Sequence, residues 1–250
     1  MMGKPFLSLF FSNNSAGVEI LISSLLNMLF PEKCPNCDKP AGGFWIAPFC
    51  ENCWKDIIPY KGPLCDRCGK PLSSEIAHIC HECLKKEPFF VRARSFALYK
   101  GTMAEAINLF KYSGIRRLGR PLGRFFNYMA LPQVDAIIPV PLHIRRLLHR
   151  GFNQSLILSK VIAKNSGRPV LINVLSRIRD TVPQVSLKAH ERRKNVRGAF
   201  TATSAVKGKN LLLVDDVMTT GATTEECSRV LKKAGAKGVY VLTLARAYEL

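Results

Sequence analysis

Residues 211–223 constrain this chain more tightly than any other stretch: Leu211-Leu212-Leu213-Val214-Asp215-Asp216-Val217-Met218-Thr219-Thr220-Gly221-Ala222-Thr223. Four consecutive aliphatic side chains read as a buried parallel strand, and the two acids fall at its carboxyl end, where open α/β sheets bind ligands. The small residues that follow turn into a helix predicted to reach about residue 234, so backbone N–H groups and hydroxyls converge on an anion at the helix N-terminus. Gly221 permits close backbone approach. Adjacent carboxylates accept hydrogen bonds from a vicinal diol, and the two halves together suit a ribose bearing a 5′-phosphate. An ordinary capped strand-to-helix turn would account for one Ser, Thr, Asp or Asn, not for the whole series.

A second constraint lies near the other end. Eight of the nine cysteines form four Cys-x-x-Cys pairs, Cys34/Cys37, Cys50/Cys53, Cys65/Cys68 and Cys80/Cys83. Each pair offers two thiolates from one knuckle, and two knuckles complete a tetrahedral Zn²⁺ site. The similar separations within the first two and the last two pairs suggest tandem zinc ribbons, one ion on Cys34, Cys37, Cys50 and Cys53 and the other on Cys65, Cys68, Cys80 and Cys83, although spacing alone leaves open which pairs share an ion. Disulfides would need an oxidising compartment, for which no convincing export signal argues. A redox use would need one pair after a strand in a βαβ context. His78 and His81 could replace a thiolate, but the set of eight makes them unnecessary. Cys227 stands apart and reads as a buried apolar residue.

Charge separates the two regions. The formal net charge is +19, yet residues 1–90 carry as many acids as bases, so the whole excess falls in residues 91–250. Such a field attracts phosphates, pyrophosphate or a nucleic acid backbone. With 250 residues, 47% of them hydrophobic, the chain can build one good core and a smaller module, and is expected to be globular and soluble. The one candidate membrane element, residues 20–30, is too short to span a bilayer. Residues 4–11 faintly imitate a signal peptide, but Asn13, Asn14, Gly17 and Glu19 interrupt it. An amphipathic helix over 18–30 and a cytoplasmic location are expected.

Between these constraints the pattern alternates. Strands are predicted over 94–99, 134–140, 170–174, 209–215 and 239–244, and helices over 103–111, 118–129, from Gly151-Phe152-Asn153-Gln154 to about 164, and 223–234. The second strand ends in Pro139-Val140-Pro141-Leu142 and a basic run, His143, Arg145, Arg146, His149 and Arg150, a rigid turn suited to a second anion. Residues 177–200 are cation-rich with little apolar periodicity, as in a hood closing over a phosphorylated sugar, a polyanion surface or a plain solvated loop. The series makes a doubly wound parallel sheet.

Taken in order, the tandem knuckles, Phe110-Lys111-Tyr112, Ile138 to Leu142, Arg150 to Gln154, Arg192-Arg193-x-Asn195-Val196-x-Gly198-Ala199-Phe200 and residues 214–223 resemble the ComF family, phosphoribosyltransferase-like proteins linked to bacterial competence. The last string is similar to the binding motif for phosphoribosyl pyrophosphate (PRPP) of type I phosphoribosyltransferases. The resemblance covers residues 18–246 and implies a double zinc ribbon over 31–88, a type I phosphoribosyltransferase fold over 89–250 and an extension over 1–30. It implies that Asp215 and Asp216 hold the ribose hydroxyls and carry catalysis, and that Met218, Thr219, Thr220, Gly221, Ala222 and Thr223 form the 5′-phosphate loop. Pro141, Arg145, Arg146, Arg150 and Lys111 would serve the pyrophosphate, with magnesium. It further implies pentosyl transfer and a role with single-stranded DNA and a competence helicase. The contrasting expectation is a basic nucleic-acid-binding or scaffold protein that keeps the fold without turnover, with Phe152 and Phe200 as candidate stacking residues.

Overall fold

The first knuckle of each ribbon has the same local geometry, seen in a computed structural model that describes residues 32–43, 46–181 and 189–248. Cys34 N donates to Lys39 O and Cys65 N to Lys70 O, both at 2.8 Å. Asp38 and Gly69, each four residues after the first cysteine of its ribbon, adopt φ of +57° and +65°. Each ribbon then closes with a one-turn helix that starts directly after its third cysteine, α1 (Glu51–Lys55) after Cys50 and α2 (His81–Lys85) after Cys80. The internal repeat in the sequence is thus a repeat of backbone conformation.

The ribbons lead into a four-stranded parallel sheet. Its strands are β1 (Arg92–Leu98), β2 (Ala136–Pro139), β5 (Asn210–Met218) and β6 (Gly238–Arg246), in the spatial order β1-β6-β5-β2. Between β1 and β2 run α3 (Gly101–Tyr112) and α4 (Gly119–Arg124), and α5 (Ile144–Arg150) and α6 (Gln154–Ser166) follow β2. An antiparallel pair, β3 (Leu175–Arg177) and β4 (Phe200–Ala202), flanks α7 (Ala189–Val196) in the stretch that is a candidate hood, and α8 (Ala222–Lys233) joins β5 to β6. Leu211 to Val214 are buried on both faces, as a parallel strand covered by helices requires. The parallel sheet with its connecting helices is the one expected. No helix among the described residues is long and apolar enough to cross a membrane. The helix expected over 18–30 lies outside the described residues.

Four local expectations are corrected. Residues 118–129 do not make one helix: α4 is flanked by 3₁₀ turns at Arg116–Leu118 and Phe125–Tyr128. A Cβ added at Gly119 would lie 2.4 Å from Ile157 Cγ2, and one at Gly123 would lie 2.8 Å from Val161 Cβ, so this segment is shaped by contact with α6. The strand predicted over 170–174 reduces to a parallel bridge between Val170 and Ile137, and the strand proper is β3. The basic run after β2 is itself helical, α5, with no buried residue and hence no apolar period to betray it. Within the polar stretch 177–200, α7 forms, and the turn after it is held to α8 by the Glu226 carboxylate, which accepts from Gly198 N at 2.7 Å and, within α8, from Arg229.

Candidate functional site

The carboxyl ends of β2, β5 and β6 lie side by side, with Pro139 paired to Val214 and Met218 to Arg246. Val140 N donates to Val214 O, and Asn153 Nδ2 donates to Val140 O at 3.1 Å, while the Asn153 side chain also caps α6. The rigid turn after β2 is therefore pinned beside the two acids of β5.

Alternation along β5 sends those acids to opposite sides. Asp216 is 6% exposed and receives Lys111 Nζ at 2.7 Å from the end of α3. Burial works to neutralise Lys111, but the Asp216 charge and hydrogen bond prevail and raise its pKa above the ordinary value. Asp215 accepts from Ser155 Oγ at 2.9 Å and from Asp216 N at 3.0 Å. Burial, reinforced by the neighbouring Asp216 charge, lifts the Asp215 carboxyl to about 7. Asp216 is thus paired with a lysine, while Asp215 is poised to exchange a proton near neutrality.

The loop after β5 has the form its residues demand. Gly221 adopts φ +79°, Thr224 Oγ1 donates to Gly221 O at 3.0 Å, and Ala222 N points to Thr220 Oγ1. Met218 is core and supports the loop: its Cε occupies the place where a Gly221 side chain would go. Thr219, Thr220 and Thr223 keep partial exposure at the start of α8. A helix start with part-exposed hydroxyls of this kind is able to receive an anion.

The basic turn is less simply arranged than expected. Arg145 and His143 face Asp180 of the hood at 3.6 Å, and Arg146 donates to Thr181 O. Arg177, 5.3 Å over the Phe200 ring, donates to Thr181 Oγ1. Arg150 bonds Gln154 Oε1 at 2.9 Å and lies over the Tyr112 ring. The structure thus clamps the hood strand onto this turn, while Lys111 goes directly to Asp216. Phe152 and Phe200 are buried in the core, Phe152 against Phe110, which removes both as base-stacking platforms. Ser155, Thr181 and Arg246 were not foreseen. Arg246 alone left a legible trace, as a charged residue closing an apolar parallel strand at the ligand end of the sheet.

The cysteines divide as the repeat suggested. Cys34, Cys37, Cys50 and Cys53 form one cluster and Cys65, Cys68, Cys80 and Cys83 the other, with ligand atoms in each within 4.8 Å of one another. Cys37–Cys50 and Cys68–Cys80 sulfurs lie 3.6 Å apart, near the edge of a tetrahedron with Zn–S of about 2.3 Å. Burial opposes ionisation of Cys34 and Cys65, but backbone N–H donors outweigh it and lower both thiols to about 7. Cys53 and Cys80 are pushed up to about 12 by burial and by neighbouring thiols, so four adjacent sulfurs await a cation that ionises all of them. The two sets fit two structural zinc ions.

Comparison with known proteins agrees with both halves. A double zinc ribbon domain model matches residues 25–84, and a phosphoribosyl transferase domain model matches residues 157–249. Competence protein F of Haemophilus influenzae is 33% identical over 226 residues, 86% of this chain and 90% of that protein. DNA utilization protein YhgH of Escherichia coli K12 is 32% identical over 86% of this chain and 97% of its own length. Competence protein ComFC of Bacillus subtilis is 27% identical over 79% of this chain and 84% of its own. With its four knuckles, its acidic strand end and its threonine loop in the same order along one chain, this protein belongs to the ComF family.

Proposed function

We propose that this chain binds PRPP or a closely related phosphoribosyl ligand, and that it serves a ComF-type role in handling incoming DNA. The observation that carries the reading is the Asp215-Asp216 pair at the end of β5, set between a glycine-containing threonine loop and a turn pinned by Asn153. In this reading Asp215 and Asp216 hold the ribose hydroxyls, and residues 218–223 hold the 5′-phosphate. Lys111 holds the Asp216 carboxylate in place. Pro141, Arg145, Arg146 and Arg150 receive the pyrophosphate once Asp180 and Thr181 release the turn, and the hood then excludes water. Magnesium would be held beside the Asp215 and Asp216 carboxylates, and would supply charge neutralisation on the leaving group. In pentosyl transfer, Asp215 could accept the proton lost by the attacking acceptor. The division at about residue 88 into ribbons and transferase domain, a cytoplasmic location and a helicase partner belong to the same reading. Its support is kinship with Competence protein F and the DNA utilization proteins.

Calorimetry of PRPP binding tests the site. The doubly substituted Asp215→Asn, Asp216→Asn protein should lose PRPP affinity, and unchanged binding would reject the assignment. A second reading, a polyanion binder without turnover, is favoured by one observation: residues 111–200 hold 18 bases against three acids, more than one PRPP requires. Titration with single-stranded DNA across salt separates the two. A steep salt slope indifferent to PRPP speaks for binding alone, and acceptor-dependent pyrophosphate release speaks for an enzyme.

A further inference from the structure

Between the second ribbon and the threonine loop lies a cavity of about 660 Å³, walled by Cys68, Cys80 and Cys83 on one side and by residues 218–222 on the other. That volume falls within the roughly 300–1,000 Å³ of small-molecule sites, and a single phosphate at the start of α8 would fill only a fraction of it. Arg246 lines the cavity at the end of β6, in register with Met218 where the loop begins. Its side chain is deeply enclosed, with the residue 6% exposed, and neither Nε nor Nη1 has a hydrogen-bond partner. Unmet donors on a buried cation are costly, so an occupant that satisfies them would be held strongly. Burial pulls the Arg246 pKa below its ordinary value, and the thiolates of the second cysteine cluster offset only part of that pull. Lys86 and Arg193 add positive charge to the same wall. The two carboxylates that line it are engaged, Glu82 by Lys70 at 2.7 Å and Glu225 by Phe89 N at 3.0 Å.

We infer that this cavity is a second anion site continuous with the threonine loop, in which Arg246 binds a phosphoryl group attached beyond the ribose 5′-phosphate. The ligand class is a ribose 5′-di- or polyphosphate ester. The inference rests on the loop being the 5′-phosphate site. A planar guanidinium fork suits two oxygens of one phosphoryl group, which a lysine at this position could not grip in the same way. Cys68, Cys80 and Cys83 line the same cavity as Arg246, and the second cysteine cluster, holding zinc, would lend its thiolate charge to the guanidinium.

The zinc-loaded full chain should be titrated calorimetrically, without added magnesium, with AMP and ADP, which differ by one 5′-phosphoryl group. ADP should bind at least fivefold more tightly than AMP. Arg246→Met should erase that difference, leave AMP affinity within twofold and retain two zinc ions per chain. Arg246→Lys keeps the charge without the fork, so it should keep only part of the preference, and it guards against a folding failure of the methionine variant. Equal affinity for AMP and ADP in the unsubstituted protein overturns the inference while leaving the 5′-phosphate reading standing, as does a preference that survives Arg246→Met. Loss of zinc from both variants assigns Arg246 to the metal centre and also overturns it. If AMP, ADP and PRPP all fail to bind, this inference and the phosphoribosyl reading fall together.

Discussion

Asp215 sits where burial and a like charge both oppose ionisation, and its pKa of about 7 against 3.8 in an unfolded chain makes it a stability term as well as a ligand. Below about pH 4 both states hold the proton and nothing is lost. As pH rises the unfolded chain ionises first, so the folded state retains a proton the unfolded state has released, and stability falls until about pH 7, above which the whole penalty stands. Asp215→Asn keeps an oxygen to accept from Ser155 and from Asp216 N, and removes the penalty. Its melting temperature should therefore exceed that of the parent by several degrees at pH 8 and match it at pH 3.5; a lower value at pH 8 would contradict the burial argument. Lys111 poses the opposite case, because its partner Asp216 stays buried when the lysine is gone. Lys111→Met should cost about 3–5 kcal/mol in denaturant unfolding. Much of that should return in the Lys111→Met, Asp216→Leu double variant, since the cost is the stranded carboxylate rather than a lost attraction.

The elements that hold these residues depend on close helix contact. Gly119 and Gly123 on α4 meet Ile157 and Val161 on α6, and α6 in turn carries Asn153 at its cap and Ser155 in its first turn. Gly123→Ala gains about 1 kcal/mol of helix propensity but drives a Cβ to 2.8 Å from Val161 Cβ, so it should destabilise by about 1–3 kcal/mol net. Adding Val161→Ala should recover most of the loss, and thermal melting of the pair against the singles reads the coupling. The same contact shows what was legible beforehand. Strand β5 and helix α8 were readable because local pattern and tertiary role coincide: an unbroken aliphatic run, then a glycine and threonines. The site acids and the loop came with them. Residues 118–129 have helical apolar spacing, yet the glycines that fit α4 to α6 break it into turns, a tertiary demand with no periodic signature. Helix α5 was hidden for the converse reason, since it buries nothing. Ser155 was invisible because its partner Asp215 lies 60 positions away.

At the scale of the whole molecule, the ribbons share the sheet's core. Cys34, Cys50 and Cys53 belong to one apolar cluster with Phe96, Phe125 and Leu122, where Trp54 lies 5.9 Å from the Phe125 ring. Cys65, Cys68, Cys80 and Cys83 belong to a second cluster with Ala93, Met218 and Ala222, at the foot of the threonine loop. Ala93 N donates to Arg67 O at 2.7 Å, so a knuckle backbone is bonded directly to β1. The electrostatic division at residue 90 is real in charge but is not a division in packing. Structural zinc free energy is folding free energy, and here it is delivered to a core that includes the site. Calorimetric melting of the zinc-loaded protein should therefore show one cooperative transition, not two. Cys65→Ser with Cys68→Ser should reduce bound zinc from two ions to one and lower that single transition as a whole. PRPP affinity should fall with it, because Met218 and Ala222 lose the wall they pack on. A variant whose ribbon melts separately, with an unchanged main transition and unchanged PRPP binding, would show the second ribbon to be an appendage, and would leave the merged core without energetic meaning.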